Sequence, residues 1–340
     1  MGLRIGVVTP WAVKCGISSY SRDLTEALAE LDVESYIVRL PRFGFKFPEV
    51  FNAVAESIPL DKVDLVHVQH EYGLYNNLEG GFYGVLRRLR KPVVTTMHAI
   101  GNWSVDRVIA EVSDRVIVHN EFCFRRFAFP EKTSIIPHGC NSVECPPPEE
   151  ARRLLGIPPE VPVVGYLGFI STYKGLEVLI EAMKEVPKAA LLIGGGWHAG
   201  PDTSYITNLK NRSMEVLKGR CMWLGFVPDA SLPNAYGAMS IVVYPSMFAT
   251  ESGALLTAMG HGKAVIASSL PPFKEKEEVG ALMTFEGLED LREKIRFLLE
   301  DDGARSKLKE GARRYVEENS WKNVAEQHLK FYEELLDQAK

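Results

Sequence analysis

The sequence holds little of what would commit it to a disulfide scaffold, a membrane span or a nucleic-acid partner. Five cysteines, Cys15, Cys123, Cys140, Cys145 and Cys221, are scattered over 340 residues with no C-x-x-C pair. An odd, dispersed set argues against a disulfide framework and fits a reducing cytoplasm. No apolar run approaches the length of a membrane span, and MGLRIGVVTPW at the start reads as a short strand rather than a signal peptide. Positive charge is not in excess. The 39 Lys and Arg stand against 44 Asp and Glu, so nucleic acid has no electrostatic footprint here. Metal patterns are missing too: there is no H-E-x-x-H and no D-x-D, so neither a metal nor a cofactor is expected.

What is present is an ordinary globular composition, 46% hydrophobic and 24% charged, at a length beyond one typical domain. Strands and helices alternate from the first residues. LRIGVVTP reads as a buried parallel strand, followed by a glycine-containing loop and the helix SSYSRDLTEALAEL. ESYIVRL, VDLVHVQ, PVVTTMH, DRVIVHN and TSIIPHG continue the series, and PPPEE at 146–150 interrupts it as a hinge. A second series runs through VPVVGYLG, AALLIGGG, CMWLGFV, SIVVYPS and KAVIAS, and amphipathic helices close the chain. Near-continuous apolar strands separated by crossovers predict an α/β chain of two Rossmann-like, doubly wound domains in tandem, 1–145 and 146–320. Ligands of such sheets bind beyond the carboxyl ends of the strands, here in the cleft expected between the domains.

Those strand ends carry the candidate residues. In the first domain Gly16 precedes a hydroxyl-rich helix start, which suits either an anion or a tight capped turn. HVQHEYG brings His67, His70 and Glu71 to one strand end, TTMHAIG brings His98 and IIPHGCN brings His138. Several histidines at successive ends, facing one cleft mouth, point to a site rather than to isolated polar residues. In the second domain Gly168 permits close approach, and Lys174 stands just before a helix N-terminus, where a cation is sensible if a phosphate lies between them. Gly195 lies in the GGGWH strand end, as filler or as a close ligand contact, and Phe226 and Val227 could hold a base or simply pack.

The stretch MFATESGALLTAMGHGKAVIAS at 247–268 puts Glu251 against Ser252 and Gly253 at the opening of an apolar helix. It reads as an N-capped core helix or as a helix N-terminus aimed at an anion or sugar, with amides from Ser252, Gly253, Ala254 and Leu255 as donors.

Taken with GFISTYKGLEVLIEA at 168–182 and LGFVPDASLPNAYGAMSIVVYPS at 224–246, this block makes the chain resemble retaining glycosyltransferases of the GT-B type, in particular the large family four. The resemblance spans nearly the whole length and implies two Rossmann-like domains, a final helix at 321–340 returning to the first, and a nucleotide-diphosphate-sugar donor. It implies that Gly16 approaches the donor phosphates, that Lys174 binds the diphosphate and that His98 lines the cleft beside the transferring sugar. Departures accompany it. Phe169 occupies the position of a phosphate-binding Arg, and Ala249 and Thr257 stand where the family carries two glutamates, so Glu251 is the nearest acid to take up the donor sugar.

The function expected is metal-independent transfer of a hexose, with retention, from a UDP-, GDP- or ADP-linked donor to a glycan, lipid-linked or small-molecule acceptor. A catalytically weak protein on the same fold that binds a nucleotide, glycan or partner protein, or an epimerase or phosphorylase, stands as the alternative. RFGFKFPEVF at 42–51 and VLRRLRK at 85–91 offer peripheral contact with the inner face of a membrane, or a solvated face.

Overall fold

The computed structural model describes residues 2–41, 47–75, 78–101, 103–196 and 204–338. Residues 42–46 of the basic and aromatic stretch, and Trp197 and His198 of GGGWH, lie outside them. The chain divides into two compact units, one running to Gly139 and resuming at Asn319, the other Cys140–Glu318.

The first unit is built on a parallel sheet of six strands: β1 (Arg4–Thr9), β2 (Glu34–Arg39), β3 (Leu65–His70), β4 (Val93–Met97), β5 (Arg115–Val118) and β6 (Thr133–Ile135), in the order β2-β1-β3-β4-β5-β6. β3 and β4 are buried along their whole length, which is why they read as continuous runs rather than alternating ones. The helix Trp321–Gln338 belongs to this unit. It buries Trp321, Val324, Ala325 and Tyr332 with Ile5, Val7, Tyr20 and Leu24, and lies against the helix Gly16–Ala29.

The second unit repeats the plan with β7 (Val163–Leu167), β8 (Ala190–Gly194), β9 (Cys221–Gly225), β10 (Ile241–Tyr244), β11 (Ala264–Ser268) and β12 (Met283–Phe285), all parallel, in the order β12-β11-β10-β7-β8-β9. Here the chain winds from β7 through β8 to one edge, then crosses back to β10 on the other side of β7. Such a reversal of winding opens a crevice at the carboxyl ends of the two adjacent strands. The same reversal in the first sheet lies between β1 and β3.

The proline run is not where the units divide. Val143 already donates its amide to Gly260 O at 2.8 Å, within the second unit. Pro148 opens the helix Pro148–Leu154, a position at which a missing N–H leaves no intrahelical bond unmade. The prolines therefore start a helix inside the second unit.

The return of the last helix is testable at Gly139. A Cβ there would lie 2.3 Å from the buried Trp321 ring. Gly139→Ala should cost about 1–3 kcal/mol in urea denaturation, the usual cost of overpacking a filled site. Stability equal to that of the parent would contradict the docking of Trp321 at this position.

Candidate active site

The crevice between β7 and β10 collects most of the residues singled out in the second half of the sequence. The loop after β7 forms a 3-10 turn, Thr172–Lys174, closed by Gly175 at φ 65°, and the helix Leu176–Lys184 follows. Gly175 is required there twice over: its backbone is left-handed, and a Cβ would lie 2.2 Å from Pro245 O at the end of β10. Met247 N–H donates to Tyr173 O at 2.8 Å, and the Tyr244 hydroxyl donates to Ala254 O at 2.6 Å and lies 3.0 Å from Leu167 O. The two loops are thus bound to each other through backbone.

Lys174 is half-buried, with its ammonium 4.8 Å from the centroid of the Tyr173 ring. Among the described residues it forms no ion pair, and burial lowers its pKa to about 8. A desolvated cation with donors unspent is suited to a ligand anion. Phe169 stands nearby in the same loop, its carbonyl accepting from the Tyr166 hydroxyl at 2.7 Å.

Facing this loop, the helix Gly253–Gly260 begins. Ser252 is its N-cap, with Oγ accepting from Leu255 N–H at 3.3 Å, and Leu255, Leu256 and Met259 enter the core. Ser252 N–H donates to Glu251 Oε1 at 2.8 Å. Two of the four amides expected to face a ligand are therefore spent inside the protein. Gly253 and Ala254 keep theirs, with no acceptor among the described residues, and both are half-exposed. A Cβ built at Gly168 would lie 3.3 Å from that of Ala254, so this helix start and the β7 loop share one wall.

Glu251 sits at the expected place, but its carboxylate turns inward. The side chain is 5% exposed, and Oε2 accepts from Lys276 Nζ at 2.8 Å. Burial alone would lower the Lys276 pKa, yet the adjoining carboxylate raises it, so the pair is held ionised. Lys276, on the helix Pro271–Glu278, is the partner that local reading did not supply.

The remaining candidates in this unit sit on strand ends. Gly195 closes the next one: a Cβ would lie 1.7 Å from Gly168 O, so glycine there serves the approach of two backbones. Phe226 is 47% exposed after β9, whereas Val227 packs half-buried on the core.

In the first unit Gly16 is exposed at the start of its helix, and a Cβ there would meet nothing within 4 Å. The preceding loop holds Ala12 at φ 57°, a left-handed backbone uncommon for a non-glycine residue. His67 and His70 do not face a cleft mouth: both are fully buried on opposite faces of β3. His70 stacks on Tyr75 with Glu79 3.8 Å away, and His67 meets Thr96, Gln69 and Tyr332. His98 and His138 are half-buried and flank Tyr20 together with His119, which the sequence reading passed over. Among the described residues no three His, Cys, Asp or Glu side chains group as a metal site.

Residues 148–315 match the family described as glycosyl transferases group 1. The D-inositol 3-phosphate glycosyltransferase of Corynebacterium jeikeium is 30% identical over 197 residues, which cover 55% of this chain and 47% of that protein. The chain thus spans about half the length of the first curated relatives it matches. The alpha-maltose-1-phosphate synthase of Mycolicibacterium smegmatis is 24% identical, over 97% of this chain and 99% of its own. Among solved structures, sucrose-phosphate synthase from Thermosynechococcus elongatus superposes with a TM-score of 0.80 at 21% identity, covering 99% of this chain and all of that one. HepE from Anabaena, in complex with UDP and glucose, does so with a TM-score of 0.80 at 18% identity, covering 98% and 100%. The matched motifs and the paired doubly wound sheets agree: residues 148–315 carry a glycosyl transferases group 1 domain, and the chain has the GT-B fold.

Proposed function

We propose that the protein transfers a hexose from a nucleotide-diphosphate sugar to a glycan, lipid-linked or small-molecule acceptor, with retention at the anomeric carbon and without a metal. The observation that carries this reading is Lys174, a half-buried cation with no carboxylate partner among the described residues, at the crevice where Gly253 and Ala254 present their amides. Breaking the glycosidic bond leaves two negative charges on the terminal phosphate of the nucleoside diphosphate, one more than it carries in the donor. Lys174 and those amides are preorganised to receive them. Phe226, exposed beyond β9, offers a ring face to the base, and the family resemblance gives His98 a role toward the sugar. Glu251 acts through the loop: paired with Lys276 and bonded to Ser252 N–H, it fixes where the helix begins. HepE has been solved with UDP-glucose, which makes UDP-glucose the first donor to try, ahead of GDP- and ADP-linked sugars.

A binding protein without turnover is the second reading. It is favoured by Phe169, Ala249 and Thr257 at positions where the resembled enzymes carry an Arg and two glutamates. Donor hydrolysis or transfer separates the two readings, because a binding module holds the nucleoside diphosphate and turns over no donor sugar.

Lys174→Ala should weaken a nucleoside diphosphate by about 1.5–3 kcal/mol in calorimetric titration and leave the free nucleoside nearly unchanged. Equal losses for both ligands would remove Lys174 from the phosphate site.

The lowered pKa of Lys174 adds a pH dependence of definite sign. Only the ammonium form binds phosphate, and the free protein loses that proton as the pH rises through about 8. Affinity for the diphosphate should therefore fall above that pH. In Lys174→Arg, whose guanidinium stays charged, the fall should be absent. A flat profile in the parent protein would contradict the assignment.

A further inference from the structure

A line of buried polar side chains crosses the first unit and ends at His98. From the helix Trp321–Gln338 the Tyr332 hydroxyl lies 2.7 Å from His67 Nδ1, and His67 Nε2 lies 2.7 Å from Thr96 Oγ1. The Gln69 amide sits between two imidazoles, its nitrogen 3.2 Å from His67 Nε2 and its oxygen 2.9 Å from His98 Nε2. His98 Nδ1 is 3.2 Å from His119 Nε2, and His119 Nδ1 is 3.1 Å from Ile136 O. Tyr332, His67, Gln69 and Thr96 are fully buried and His119 is 4% exposed, so His98 is the one half-buried member of the line.

Counting protons decides how this line is wired. A carbonyl can only accept, so His119 Nδ1 carries a hydrogen directed at Ile136 O. With the amide oxygen toward His98, Nε2 of His98 must also carry one. A third is needed between His98 Nδ1 and His119 Nε2. Three protons on two imidazoles make one of them a cation. Turning the amide over exchanges two atoms that only their hydrogen-bond partners distinguish, and it removes the conflict. Gln69 then donates to His98 Nε2, His98 Nδ1–H donates to His119 Nε2, and His119 Nδ1–H donates to Ile136 O. At the other end His67 Nε2–H is shared between the Gln69 oxygen and Thr96, and Tyr332 donates to His67 Nδ1. Every ring is neutral.

The surroundings favour the neutral arrangement. His98 is faced by His67 and His70 of β3, by His119 after β5, by His138 after β6 and by Tyr20 of the helix Gly16–Ala29. Burial, then His119, His138, His67 and His70, hold its imidazole well below the ordinary histidine range. His67 is held down likewise, first by burial and then by His328 and His119.

We propose that Gln69 is a positioning residue which, backed by His67 and by Tyr332 of the last helix, locks His98 as a neutral ring protonated on Nδ1. Both nitrogens of that ring are then engaged within the protein. His98 therefore takes up no proton in the reaction. The second half of this inference rests on His98 belonging to the transfer site; the tautomer does not.

Nitrogen-15 NMR of the histidine-labelled full chain reads the tautomers directly. His98 and His119 should both appear neutral and protonated on Nδ1 at neutral pH, and a His98 signal protonated on Nε2, or on both nitrogens, would overturn the proposal. Gln69→Glu, whose carboxylate can only accept, should make His98 an imidazolium at neutral pH. It should also lower kcat for transfer by about tenfold or more, with the Kd for nucleoside diphosphate changed by less than about threefold. An unchanged kcat in that variant would overturn the positioning role. If the variant does not fold, the parent spectrum still decides the tautomer. If the parent transfers no sugar from any donor, the proposed function fails while the tautomer result stands.

Discussion

Backbone meets backbone where the loop after β7 passes the end of β10, and the second unit is organised around that approach. Gly175 has no room for a side chain beside Pro245 O, and the Tyr173 carbonyl accepts the Met247 amide. From this contact follow the direction of Lys174, the start of the helix Leu176–Lys184 and the course of the chain toward Ser252. The Tyr244 hydroxyl ties the third side of the same small frame to Ala254. Loops tied together in this way hold Lys174 and the Gly253 and Ala254 amides in place, which under the proposed function spares them reorganisation when a phosphate binds.

The two units solve the burial of polar groups in different ways. In the second, a full ion pair is taken out of water: Glu251 and Lys276 have side chains 5% and 3% exposed. Losing one partner of such a pair costs about 3–5 kcal/mol, whereas its net contribution is small, so it is better read as a device that fixes geometry than as a source of stability. Along the line that ends at His98 the proposed arrangement is neutral. Tyr332, His67, Gln69, His98 and His119 then satisfy one another through shared hydrogen atoms, and no charge is desolvated within that line. Each arrangement ends at a residue that reading by motif had placed at the site.

Much of the fold was legible because parallel strands covered on both faces are continuous apolar runs, as in VVGYL and AVIAS, and because glycine marks the strand ends that must lie close. The crevice was legible for the same reason, since Lys174 and the Ser252 cap are adjacent in sequence to the elements that place them. What could not be read locally depends on contacts between distant residues. Nothing near Glu251 announces Lys276, and nothing near His67 announces Tyr332 from the last helix. His67 and His70 look alike at a strand end, yet the pleat sends them to opposite faces and buries both. The proline run reads as a hinge, whereas Pro148 opens a helix within the second unit, which Val143 has already joined through Gly260.

The most direct measurement is a crystal structure of the full chain with a nucleoside diphosphate bound, refined with the diphosphate placed from difference density alone. The account predicts phosphate oxygens within hydrogen-bond reach of Lys174 Nζ and of the Gly253 and Ala254 amides, with the Glu251–Lys276 pair intact beneath them. A diphosphate bound away from the β7 and β10 strand ends, or one that reaches neither Lys174 nor the start of the helix Gly253–Gly260, would contradict it.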